Sequence, residues 1–172
     1  GGQGSDTLIS DGGQDVLYGG EGADTLAIVS TAFQRVAGGN GTDTLRLDGS
    51  GLTLDLTTLA DNTLTDIEVI DITGSGANTL TLDFQEVVNL SSTSNTLTVR
   101  GTAGDAVMLG AGWFHAADQT IDSVTYQVFT QDAATVLAES PVTVNGIALA
   151  TLDGTNGFRL DGIDAGDHSG FS

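Results

Sequence analysis

Along the first 46 residues, single leucines at Leu8, Leu17, Leu26 and Leu45 each follow a glycine-rich turn and an aspartate. Because strand side chains alternate between two faces, each x-Leu-x triplet predicts a short half-buried strand. The units recur at close to nine residues, so consecutive units fall on opposite sides of a coil and units two apart become neighbours. Beyond residue 47 glycine thins out, but short apolar runs continue at GLTLDL (51–56), IEVIDI (67–72), NTLTLDF (78–84), VVNL (87–90), NTLTV (95–99) and DAVML (105–109). These predict further strands, forming an irregular solenoid with a core of Leu, Ile and Val. Residues 113–150 are richer in aromatics. They hold strand runs at 121–130, 135–138 and 142–150, the only proline (Pro141) and an Asn145-Gly146 turn signal. That segment predicts an antiparallel hairpin cap, which a solenoid needs to cover its strand edges. Trp113, Phe114, Tyr126 and Phe129 are expected in the core of the cap. The expected fold class is all-β: a parallel β-roll or β-solenoid (1–46) continuing into an irregular solenoid (47–112), an antiparallel β cap (113–153) and a tail (154–172). The whole is expected to form one cooperative rod.

The turns carry the chemistry. The pattern G-G-x-G-x-D-x-L-x fits GGQGSDTLI (1–9), GGEGADTLA (19–27) and GGNGTDTLR (38–46), and SDGGQDVLY (10–18) keeps part of it. The starts lie 18 and then 19 residues apart, the extra residue falling in IVSTAFQRVA (28–37). Glycines permit backbone dihedrals closed to other residues and let carbonyl oxygens turn inward, and the aspartate closes the turn. Facing turns therefore make an all-oxygen cage, which suits a hard cation such as Ca²⁺ better than zinc or copper.

These units resemble the glycine-rich nonapeptides of the RTX (repeats-in-toxin) family, whose parallel β-roll binds calcium between turns two units apart. Carried onto this sequence, the resemblance implies about two ions. One would sit between turns 1–6 and 19–24, held by Asp6, Asp24 and the carbonyls of Gly1, Gln3, Gly20 and Gly22. The second would lie between 19–24 and 38–43, held by Asp24, Asp43 and the carbonyls of Gly19, Glu21, Gly39 and Gly41. On the opposite side, Asp11, Gly13 and Asp15 face IVSTAF, which lacks both the glycines and the aspartate. That position either holds no ion or is completed by a turn upstream of Gly1. The string from NTLTVRGTAGDAVMLGAGW through VTYQVFT is similar to a segment of very large bacterial surface proteins with RTX repeats. The tail GFRLDGIDAGDHSGFS (157–172) looks like the opening of an FG-GAP repeat without its metal loop, and leaves Asp161, Asp164 and Asp167 unassigned. The resemblance implies a calcium-binding spacer of a large secreted surface protein, adhesin-like and exported by a type I apparatus, with neighbouring modules of the same chain as partners. NTLT recurs at 62–65, 78–81 and 95–98. A threonine ladder built from these strands is loosely similar to calcium-dependent ice-binding solenoids, although Thr is also a routine solvent-face strand residue. It supports the alternative of a module that binds a glycan, a protein or ice through the Thr face or the cap.

Composition narrows these readings. The chain has 172 residues with 23 Asp plus Glu against four Arg and no Lys, for a formal net charge of −19. Such a polyanion repels nucleic acid and anionic membranes, and its self-repulsion favours cation uptake. Without cysteine, disulfides and thiolate metal sites are excluded. No apolar run reaches the length of a membrane span. The sequence opens within the repeat pattern and without a leader, and so reads as a segment of a longer chain. His115 and His168 lie far apart in sequence and neither sits in an HExxH or nucleophile-elbow context, so an enzyme is not expected.

Overall fold

A computed structural model describes residues 1–91 and 93–146. Of the strand run expected over 142–150, Thr143–Asn145 is a strand, paired parallel rather than in an antiparallel cap, and the part beyond residue 146, with the tail, its FG-GAP likeness, Asp161, Asp164, Asp167 and His168, lies outside the described residues. The described residues are 48% strand and 7% helix, and their sheets are dominated by parallel pairing: an all-β roll that continues as a solenoid.

Two sheets form the faces of the N-terminal roll. One stacks Gly2–Gln3, Val16–Glu21, Arg35–Asn40 and Leu64–Thr65, all parallel. The other stacks Thr7–Ser10, Thr25–Ile28, Thr44–Leu47, Val69–Asp71 and Thr96–Arg100, also parallel. Its register aligns Leu8, Leu26, Leu45, Ile70 and Val99 in one row, while Leu17, Val36 and Leu64 align in a row of the other sheet. Leu26, Leu45, Ile70 and Val99 are fully buried, and burial of each such side chain is worth about 1.5–3 kcal/mol. The extra residue of the second interval is taken up before Arg35. There Phe33 turns into the core, and the glycine turns downstream stay in step.

A third parallel sheet begins with Thr53–Asp55 and adds Thr79–Leu82, Ala106–Leu109 and Thr143–Asn145. Leu54, Leu80 and Val107 form its buried row, and side chains from all three sheets belong to one core. The VVNL stretch, expected as a strand, is helical: it lies in the helix Phe84–Leu90. Its apolar positions, Phe84, Val87, Val88 and Leu90, follow helical spacing. Asp83 caps the helix by accepting from the N–H groups of Gln85 (2.8 Å) and Glu86 (3.2 Å), which a strand could not exploit. The three NTLT strings also part company. Leu64–Thr65, Thr79–Leu82 and Thr96–Arg100 belong to three different sheets, so they make no common threonine face.

At the far end Ala134–Glu139 continues the parallel ladder on Thr96–Arg100, then pairs antiparallel with Val124–Gln131. Phe114–His115 and Gln119–Ile121 pair antiparallel with that strand in turn. The turn into Val124–Gln131 is made by Asp122 and Ser123, both at positive φ, the dihedral sign that a tight two-residue hairpin of primed type requires. Trp113, Tyr126 and Phe129 are buried as expected, but Phe114 is about half exposed. Its neighbour His115 faces the other side of that short strand and stacks on Phe129.

Candidate metal centre

The turns 1–6, 19–24 and 38–43 lie directly over one another, because the strands that contain them pair Gly2 with Gly20 and Gly39, and Gln3 with Glu21 and Asn40. On the adjoining face Thr7, Thr25 and Thr44 are in register, which puts Asp6, Asp24 and Asp43 in one row. The row is tied by its own backbone. The Asp6 N–H donates to Asp24 Oδ1 (2.7 Å) and the Asp24 N–H donates to Asp43 Oδ1 (2.8 Å). The Asp43 N–H donates to Glu68 Oε2 (2.9 Å). Val69 follows Thr44 in the register, so Glu68 occupies the next place in the row. Sequence reasoning missed Glu68. Its signal is the carboxylate-x-apolar spacing of Glu68-Val69-Ile70, the same as that of Asp43-Thr44-Leu45.

Asp24 is 1% exposed and Asp43 0% exposed, and each has a buried Oδ2 with no hydrogen-bond partner. Unpartnered buried carboxylate oxygens are costly. Burial raises the Asp43 carboxyl above its ordinary range. The charges of Glu68, Asp24 and Asp66 push the same way, against the hydrogen bond from the Asp24 N–H. Of the nearby arginines, Arg46 is engaged by Asp48 at 2.6 Å and Arg35 lies over the Tyr18 ring. The first glycine of each turn is where the oxygens crowd. A Cβ on Gly19 would collide with the Gly38 carbonyl oxygen and stand 2.5 Å from Asp24 Oδ2. A Cβ on Gly1 would meet the Gly19 carbonyl oxygen and Asp6 Oδ2 in the same way.

A later row shows what happens when the same position is closed without a free oxygen. Asn78 Oδ1 accepts from the Leu52 N–H (2.7 Å) and its amide donates to the Ile72 carbonyl (2.9 Å). Asp105 Oδ1 accepts from the Asn78 N–H, and Asp105 Oδ2 accepts from the Thr102 N–H and hydroxyl. Both residues are buried and satisfied. Among the described residues, the buried carboxylate oxygens without a partner are therefore those of the glycine turns.

Residues 1–27 match the family model of the RTX calcium-binding nonapeptide repeat (4 copies). RTX repeats form the front of this chain. No curated protein and no solved structure matches it. RTX calcium-binding repeats serve a calcium-binding structural role in RTX-type proteins and are typical of secreted proteins. Among the described residues no helix is long and apolar enough to cross a membrane.

The RTX turns fit a calcium ion through the free oxygens of Asp24 and Asp43 and the cradle beside each leading glycine. Among the described residues no group of three or more His, Cys, Asp or Glu side chains could hold a metal, so such a cage draws most of its oxygens from the main chain. Which carbonyls face which gap differs from the expectation. The Gly4 N–H donates to the Glu21 carbonyl and the Gly22 N–H to the Asn40 carbonyl, both at 2.8 Å, so the third residue of a turn points back to the preceding turn. The carbonyl oxygens of Gly2 and Gly4 crowd Gly20 and Gly22, and those of Gly20 and Gly22 crowd Gly39 and Gly41, so the second and fourth point forward. The gap between 1–6 and 19–24 is thus faced by Gly2, Gly4, Gly19 and Glu21, not by Gly1, Gln3, Gly20 and Gly22. The gap between 19–24 and 38–43 is faced by Gly20, Gly22, Gly38 and Asn40, rather than Gly19, Glu21, Gly39 and Gly41. The cause is the alternation of carbonyl direction along a parallel strand, which the repeat pattern does not encode. On the other side of the roll, Asp15 is engaged by the Ser10 hydroxyl (2.5 Å), and Gly12 faces Val29 and Ser30.

Proposed function

We propose that the chain is a calcium-stabilised spacer of a larger extracellular protein, adhesin-like in role, whose first coils order when calcium is met outside the cell. The observation that carries this reading is the pair of fully buried, unpartnered Oδ2 atoms of Asp24 and Asp43 within stacked RTX turns. When bound, Ca²⁺ supplies a hard divalent centre for six to eight oxygens. The residues of the chain supply the rest. Asp6, Asp24 and Asp43 hold the row through their backbone hydrogen bonds, the leading glycines keep the cage clear of Cβ atoms, and the leucine row fixes the register.

Because the cage exists only when turns are stacked, binding is coupled to folding. Each site adds about 2.7 kcal/mol at a free concentration of 100 times Kd. With little calcium the carboxylate row repels itself, which keeps the front of the chain loose for passage through a type I apparatus. The role is structural and involves no catalytic step. Of the two histidines, His115 is taken up by Asp118 (3.0 Å) and the Phe129 ring within the cap.

The test is a calcium titration of the metal-free chain, followed by native mass spectrometry and thermal unfolding. The expected result is stoichiometric uptake of at least two ions with a rise in melting temperature that magnesium does not reproduce. A chain that melts identically in EDTA and in millimolar calcium, with no ion-bound species, refutes the proposal.

A further inference from the structure

We propose a third cation position, between the turn 38–43 and the short turn Asp66–Glu68, closed by residues that lie outside the repeat pattern. It rests on the calcium reading of the repeats. Three observations converge on it. First, the contact set recurs: where Gly19 is met by Asp24 Oδ2 and the Gly38 carbonyl, Gly38 is met by Asp43 Oδ2 and the Asp66 carbonyl. A Cβ on Gly38 would stand 2.6 Å from the former and collide with the latter. Second, the carboxylate row continues across the boundary. The Asp43 N–H is bonded to Glu68 Oε2 as the Asp24 N–H is bonded to Asp43 Oδ1. Third, Asp43 is fully buried and its Oδ2, on the side of the Asp66 carbonyl, has no partner.

The turn Asp66–Glu68 is shorter than the glycine turn beneath it, and the longer glutamate side chain makes up the distance. Glu68 is held in place from behind, since its Oε1 accepts from the Ser91 hydroxyl (2.7 Å). By the same alternation of carbonyls, Gly39 and Gly41 face this gap rather than the one before it. The resulting donor set is Asp43, Glu68 and the carbonyls of Asp66, Gly39 and Gly41: two carboxylates and main-chain oxygens, which suits a hard divalent cation of calcium's size. The last RTX turn is thereby closed by the first coil of the leucine solenoid, so this ion fastens the two regions together.

Isothermal titration of the metal-free chain with calcium, paired with native mass spectrometry, counts the sites. The variant is Glu68→Gln, whose amide keeps an acceptor for the Asp43 N–H and a donor for Ser91 while removing the anionic ligand. The expected result is three ions on the wild type and two on the variant, with the remaining affinities within about twofold. Two ions on the wild type overturn the third position and leave the repeat reading standing, whereas none overturns both. Three on wild type and variant alike overturn the assignment to Glu68. Matching circular dichroism of the two chains in EDTA shows that the variant folds; if they differ, the wild-type count decides alone, three sustaining the position and two overturning it.

Discussion

Replacing Asp24 by Asn should change the sign of its effect with calcium. Asp24 Oδ1 accepts the Asp6 N–H, an acceptor that the amide retains, so the perturbation falls on Oδ2 and on the negative charge that the two oxygens present to the gaps on either side. In EDTA that atom is a buried carboxylate oxygen without a partner, a condition costing about 1–3 kcal/mol. An amide nitrogen in its place faces the Gly38 carbonyl, which crowds the same point beside Gly19, and can donate there as the Asn78 amide donates to Ile72. The metal-free variant should therefore be more stable than wild type by about 1–3 kcal/mol, a rise of roughly 2–12 °C for a chain of this size. In calcium at 100 times Kd the wild type gains about 2.7 kcal/mol from each of the two cages that share Asp24, together about 5 kcal/mol. Losing both, offset by the metal-free gain, leaves the variant about 2–4 kcal/mol less stable. The assay is thermal unfolding by circular dichroism of both chains in EDTA and in saturating calcium. Curves displaced in the same direction under both conditions would refute the reasoning, because then Oδ2 has no special relation to a cation.

The complementary change is Asn78→Asp, which puts an unpartnered carboxylate oxygen opposite the Ile72 carbonyl in a row without a cage. It should cost about 1–3 kcal/mol in urea unfolding, and calcium should not restore the loss; recovery on adding calcium would show that the glycine turns are not what makes a site. A pH test concerns Glu86, whose carboxyl is raised above its ordinary value by burial and then by the charges of Asp83, Asp61 and Asp55. The folded chain holds that proton more tightly than the unfolded one, so stability from this group is present at low pH and declines as pH rises through the folded value. Glu86→Gln should accordingly raise the urea midpoint at pH 7 and leave it unchanged below the carboxylate range, and an equal shift at both pH values would contradict this.

The parts of the fold that were legible in the sequence are those governed by side-chain type. Leu8, Leu26 and Leu45 at intervals of 18 and 19 residues gave the roll its register, and Asp6, Asp24 and Asp43 fall in one row because they precede those leucines by a constant two residues. Features governed by backbone direction or by context were not legible. Carbonyls alternate along a parallel strand whatever the side chains, so the pattern G-G-x-G could not say whether its first or second oxygen faces a given gap. Two valines at 87–88 have high strand propensity, yet Asp83 as a cap and apolar residues three and four apart made that segment a helix. NTLT looked like a repeat because its Asn-x-Leu mimics Asp-x-Leu, but the spacing that follows each copy sends it to a different sheet.

The comparison of the two buried rows explains why the glycine turns and the leucine solenoid coexist in one chain. Both use a side-chain oxygen to accept a backbone N–H from the neighbouring coil: Asp24 and Asp43 in the first row, Asn78 and Asp105 in the second. In the second row the remaining atom is satisfied by the chain itself, through Ile72 or Thr102, so that part of the rod can stand without a ligand. In the first row the remaining atom is left free beside a glycine that keeps the space open. On the proposed reading, the difference between a coil that the chain completes by itself and one that an ion completes comes down to whether the second oxygen of a buried carboxylate finds a donor within the protein. Glu68 stands at the border, one oxygen on the row of the first kind and the other on Ser91, and so ties the last glycine turn to the solenoid by hydrogen bonds on both sides.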